Sequence, residues 1–185
     1  AFNPEPIADF LDAAALGDGE EAVLLITGII DEWKREGRPG GREELLLRLA
    51  RTGSIYVPRY YDVQYLPDGR IQRVAPNRSD VPWRVSKHTL MDLDEWSYPK
   101  APLVPLAETV HERMSVEIFR GCTRGCRFCQ AGMITRPVRE RSITGVAEIV
   151  EGGLKATGFE EVGLLSLSSA DHSEIADIAR NLAAV

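Results

Sequence analysis

From Val116 onward the chain alternates strand-like and helix-like segments, and that alternation leaves few folds open to it. Val116, Ile118 and Phe119 form a short apolar run. Ser142 is placed to cap a helix with apolar positions at Val146, Ile149, Val150 and Leu154, and Gly158 is placed to stop it. Val162 to Leu167 reads as a second strand, and Asp171 with Glu174 as a capping box before a helix carrying Ile175, Ile178 and Leu182. Strand, helix, strand, helix predicts parallel pairing through crossover connections, hence an α/β class. In barrels built from such units the chemistry gathers at the C-terminal ends of the strands. The loop after Phe119 and the stretch Ser166-Leu-Ser-Ser169 both fall at that end.

The loop after Phe119 holds every cysteine of the chain: Cys122, Cys126 and Cys129, within eight residues. A structural zinc site closes with four protein ligands. Here there is no fourth cysteine, and the nearest histidine is His111. Cubane iron–sulfur clusters are held by cysteine thiolates, so three thiols in one loop predict a [4Fe-4S] cluster with one iron open to a small molecule. The alternatives are a buried trio of inert cysteines, a disulfide with one thiol left over, or a structural zinc module.

Spacings of three residues and then two, with Phe128 just before the last cysteine, resemble the signature of the radical S-adenosylmethionine (radical SAM) enzymes. The flanks, Arg120-Gly-Cys-Thr-Arg-Gly-Cys-Arg-Phe-Cys-Gln-Ala-Gly-Met-Ile and Arg136-Pro-Val-Arg-Glu-Arg-Ser142, are similar to a branch with an N-terminal cobalamin-binding-type domain and no assigned substrate. The resemblance implies an enzyme that binds a [4Fe-4S] cluster through the three cysteines and cleaves S-adenosylmethionine reductively to a 5′-deoxyadenosyl radical. It implies cobalamin as an optional cofactor for methylation, and an electron donor of the flavodoxin or ferredoxin type. Gly121 and Gly125 would let the loop wrap the cluster and Phe128 would sit against the adenine. Ser166, Ser168 and Ser169 stand where many relatives carry a Gly-Gly-Glu motif for the SAM amine, so the group that binds the amine is open. No catalytic residue is assigned. A methylthiotransferase-like activity on tRNA is the second enzymatic reading, which leaves RNA open as a substrate, and an iron–sulfur or zinc module without catalysis is the non-enzymatic one.

Charge is uneven. The chain carries −6 overall, which argues against a protein-wide nucleic-acid footprint. Between residues 120 and 141, however, six arginines (120, 124, 127, 136, 139, 141) face the single acid Glu140. Such a patch suits a SAM carboxylate, an acidic reductase or a phosphate, and Arg136 and Arg139 are the expected cofactor contacts. No apolar run is long enough to span a membrane and no signal-peptide pattern opens the chain. Unpaired cysteines fit a reducing compartment, so the expected location is cytoplasmic.

Three segments are expected. Residues 1–35 read as the remnant of the cobalamin-binding-type, Rossmann-like domain: Leu11 to Leu16 as a strand, Asp18 and Glu21 as a capping box, then a helix with Val23, Ile26, Ile30 and Trp33 on its buried face. Residues 36–110 read as a connector with a short helix over Glu43 to Arg51, a hairpin turning at Pro67-Asp-Gly69, and an extended proline-bearing crossing. Trp83, Trp96 and Tyr98 are expected to anchor that crossing. Residues 111–185 read as the first two βα units of a partial radical SAM barrel. The chain opens on Ala1 and is expected to be a fragment.

Overall fold

Two hydrophobic clusters organise the computed structural model, which describes residues 3–107 and 109–183, and the chain divides between Leu90 and Met91 into a unit around each cluster. The connector stretch is therefore shared: helix and hairpin go with the first unit, and the crossing beyond Leu90 goes with the second.

In the first unit, α1 (Glu20–Arg35) and α2 (Gly41–Arg51) are separated by the glycine- and proline-rich break at residues 36–40. Leu46, Leu47, Leu49 and Ala50 of α2 form the core with Ile55, Val57, Tyr60, Tyr61 and Val81. From α1, the residues that meet this core are Ile26 and Ile29, and Ala22 is buried. Val23, expected on that face, is 54% exposed. The strand expected over 11–16 shrinks to β1 (Ala14–Ala15), which pairs antiparallel with β2 (Ile55–Tyr56). A Rossmann-like strand would be parallel to its neighbours, so this local pairing differs from the expected domain tail. The capping box is also absent, since Gly19 occupies the cap of α1 and the Asp18 carboxylate accepts the N–H of Leu90 at 2.8 Å.

Gly17 has a backbone reason to be glycine. Its φ is +97°, and a Cβ there would lie 2.0 Å from the carbonyl oxygen of His88. The segment through His88 lies directly on it, with His88 N–H donating to Leu16 and Asp18 N–H donating to His88. The turn thus serves close backbone approach. The hairpin appears as expected, with β3 (Tyr61–Tyr65) antiparallel to β4 (Ile71–Pro76) and a bulge between Gln64 and Tyr65. Trp83 is 63% exposed and carries the Arg73 guanidinium over its ring, so it does not anchor the crossing by burial.

In the second unit, β5 (Met114–Glu117) runs parallel to β8 (Val162–Leu165), in register Met114↔Val162 through Glu117↔Leu165. Met114, Val116 and Ile118 alternate inward and are buried against Val146, Ile149 and Val150 of α4 (Ile143–Thr157) and Ile178 of α5 (Ile175–Leu182). The α4 ends are built as the sequence predicts: Ser142 Oγ accepts the N–H of Gly145, and Gly158 closes the helix at φ +73°. Tyr98 does anchor the crossing, with its hydroxyl donating to the Ser115 carbonyl at 2.9 Å.

Two local expectations fail here. The run from Val116 to Phe119 is not one strand, because Ile118 and Phe119 are buried consecutively, which alternation forbids in a single flat strand. The chain instead switches partner at Ile118, and β6 (Phe119–Arg120) pairs antiparallel with β7 (Arg139–Glu140). The second capping box does not form either. Glu174 stands at the cap of α5 without a side-chain bond, its own N–H donates to His172 Nδ1, and Asp171 is engaged elsewhere.

Candidate metal centre

Pairing of β6 with β7 closes residues 121–138 into one loop, and that loop carries the three cysteines and the short helix α3 (Ala131–Ile134). Its entrance is fixed at Gly121, where φ is +96° and a Cβ would lie 2.7 Å from the Pro137 carbonyl oxygen and 3.0 Å from that of Thr135. Any other residue would push the two ends of the loop apart. Further in, Cys129 N–H donates to the Cys126 carbonyl at 3.0 Å, which turns the chain so that α3 can start.

All three thiols are free. Cys122 and Cys129 are half-buried and each accepts a backbone N–H at 3.4 Å, from Arg124 and Gly132 respectively. Both sulfurs flank Gly132, since a Cβ there would lie 3.8 Å from Cys129 Sγ and 3.9 Å from Cys122 Sγ. Cys126 is exposed. Among the described residues no group of three or more His, Cys, Asp or Glu is gathered round a single point. Three free thiols in one loop, two of them flanking Gly132, are the donor type that cubane clusters take.

The arginine patch is largely committed inside the fold. Arg120 forms a two-bond pair with Glu117, at 2.9 and 3.0 Å. Arg124 grips both carboxylate oxygens of Asp171. Arg136 donates to the Cys122 carbonyl at 3.2 Å. Arg139 is buried and donates to the carbonyls of Pro137 and Thr135. Arg141, also buried, reaches the carbonyls of Glu117 and Leu93, the Asp94 carboxylate and the face of Tyr98. Arg127 is exposed.

At the same end of the strands an open cavity of about 480 Å³ lies between Gly121 and Thr135 of the loop and Leu165 at the end of β8 with Ser166 and Leu167 beyond it, and the Glu117–Arg120 pair stands in its wall. The serines form a network in which Ser166 and Ser169 share a hydroxyl hydrogen bond of 2.9 Å. Ser169 also donates to the Leu164 carbonyl, and Ser168 donates to Asp171 at 2.7 Å. The Arg124 guanidinium and then the Ser168 hydroxyl hold the Asp171 carboxyl down at about 2. Phe128 is 93% exposed on the loop.

His172 lies apart from this chemistry. It is 3% exposed, packs against Phe119, accepts from Glu174 N–H at Nδ1 and therefore donates from Nε2 to the Arg141 carbonyl. Sequence reasoning placed the cysteines and serines at one strand end but missed Glu117 and Asp171. Asp171 sits 47 residues from its partner, and the capping pattern gave it a different role.

Comparison with known proteins adds independent observations. Residues 1–58 match the family model for radical SAM proteins, N-terminal, which supports kinship with that family over a stretch that excludes the cysteines. The chain is 25% identical over 174 residues to an uncharacterized protein of Methanocaldococcus jannaschii, covering 94% of this chain and 31% of that protein. It thus spans about a third of the length of the curated relative it matches. No solved structure matches it. Among the described residues no helix is long and apolar enough to cross a membrane.

Proposed function

We propose that the protein carrying this chain is a radical SAM enzyme in which Cys122, Cys126 and Cys129 hold a [4Fe-4S] cluster. The observation that carries this reading is the cysteine loop itself, set at the C-terminal end of a parallel strand pair beside a cavity, with backbone N–H groups directed at two of its sulfurs. The family match over residues 1–58 supports it from a separate part of the sequence.

When bound, such a cluster supplies the electron that cleaves S-adenosylmethionine to a 5′-deoxyadenosyl radical, and a flavodoxin- or ferredoxin-type donor is the partner this requires. The chain's own residues bind, orient and shield. Gly125, at φ +66°, lets the loop turn between two ligands. Phe128 offers an exposed ring to an adenine, and Ser166 offers a hydroxyl in the cavity wall for the SAM amine, with Ser168 and Ser169 holding the serine turn in shape. Arg136 and Arg139 act by bracing the loop through its carbonyls. Cobalamin-assisted methylation rests on the sequence resemblance alone, and modification of tRNA on the arginine cluster of the sequence.

The test is anaerobic reconstitution of the full-length protein. About four irons per chain, an EPR signal of the reduced cluster that changes on adding SAM, and release of 5′-deoxyadenosine support the reading, and each Cys→Ala variant abolishes release. Stoichiometric zinc without iron uptake overturns it.

A further inference from the structure

We infer that Asp171 is a positioning residue for the cysteine loop, acting through Arg124. The inference deepens the function just proposed and rests on it for its meaning, but its geometry stands by itself.

Arg124 lies in the gap between Cys122 and Cys126 and is held at both ends. Its N–H donates to Cys122 Sγ at 3.4 Å, while its guanidinium donates from Nε and a terminal nitrogen to the two oxygens of Asp171. Asp171 ends the short 3-10 turn Ser169–Asp171 that follows β8, the other strand of the parallel pair. That turn is itself fastened, because Ser168 donates to the same carboxylate and Ser169 ties back to the Leu164 carbonyl within β8. A chain of bonds therefore runs from the end of β8 to the residue that donates to the first cysteine. The connection spans 47 residues of sequence.

An exposed ion pair commonly contributes little. This one differs in three respects: the fork is two-bonded, the carboxylate is only 25% exposed, and a third donor fixes its orientation. The Arg124 side chain is 63% exposed, so its removal leaves no buried cavity, and the loop's response reports the clamp alone.

The test uses the full-length protein without cluster, reading hydrogen–deuterium exchange of the amides of residues 123–129. Asp171→Asn and Arg124→Gln are each expected to speed that exchange at least fivefold while lowering the thermal midpoint by only about 1–3 °C at neutral pH. The double variant is expected to be no faster than either single one, and the exchanged pair Arg124→Asp with Asp171→Arg to recover at least half of the protection. In reconstituted protein, the same single variants are expected to lose iron to a chelator at least fivefold faster. Unchanged exchange in both single variants, or additive effects in the double, overturns the clamp. If the protein takes up no iron, the functional proposal falls while the exchange measurement still decides whether Asp171 orders the loop.

Discussion

Gly121 and Pro137 touch at the mouth of the cysteine loop, so closely that a side chain at 121 would meet the Pro137 carbonyl oxygen at 2.7 Å. Gly121→Ala therefore suffers twice. A left-handed φ of +96° is disfavoured by about 1–2 kcal/mol for a residue with a Cβ, and the contact adds steric repulsion that rigid backbone cannot relieve. The variant is expected to lose about 2–4 kcal/mol of stability, a size typical of strain at a special backbone position. Urea denaturation of the full-length protein reads it, and a loss below 0.5 kcal/mol would show that the loop entrance rearranges freely.

Arg141 bears on what the arginine patch is for. It is 5% exposed and joins Glu117 at the end of β5 to Leu93 and Asp94 of the crossing. Arg141→Met removes the donor that the Leu93 and Glu117 carbonyls share, and about 2–4 kcal/mol of stability should be lost. Arg127→Ala, at an exposed position, should change stability by less than about 0.5 kcal/mol. Equal effects from both would mean that the buried guanidinium is not structural.

What the sequence disclosed follows the range of the interactions involved. Helix α4 was legible from end to end because Ser142, its apolar spacing and Gly158 act within a few residues of one another. The parallel pairing of β5 with β8 followed from strand, helix, strand order, and the hairpin from alternation around Pro67-Asp-Gly69. The two capping boxes misled because a carboxylate at a helix start can serve a distant partner instead. Asp18 serves Leu90, 72 residues away, and Asp171 serves Arg124. A run of like charge likewise says nothing of the carbonyls and carboxylates that Arg120, Arg124, Arg136, Arg139 and Arg141 meet in the fold. The cysteine motif placed the loop, but the closeness of Gly132 to two sulfurs is a tertiary fact.

Acid should loosen the Asp171 contribution. Its carboxyl titrates near 2 in the fold, against about 3.9 in an unfolded chain. A depressed carboxylate stabilises the fold above the unfolded value, and that stabilisation disappears as pH falls through the folded one. The difference in thermal midpoint between wild type and Asp171→Asn should therefore be constant above about pH 5 and vanish between about pH 4 and pH 2. A difference that persists unchanged at pH 2 would locate the effect of the substitution outside the carboxylate charge.

Adjacent glycines of α4 should respond with opposite sign to the same substitution. On propensity alone, Gly→Ala within a helix gains about 0.8–1 kcal/mol. At Gly152 the new methyl would meet the Lys100 side chain at 3.3 Å, an aliphatic stem that can move aside, so Gly152→Ala should stabilise by about 0.5–1 kcal/mol. At Gly153 it would lie 2.4 Å from Met114 Cε and 2.6 Å from its Sδ, and Met114 is 1% exposed within the second hydrophobic cluster. Overpacking of that kind costs about 1–3 kcal/mol, which outweighs the propensity gain, so Gly153→Ala should destabilise. Shortening the obstacle is the check: in Met114→Val the same Gly153→Ala change should regain at least half of its loss. Urea denaturation of the two single variants, Met114→Val and the double variant measures all of these terms. If Gly153→Ala stabilises as Gly152→Ala does, α4 does not press on β5 as closely as the structure describes.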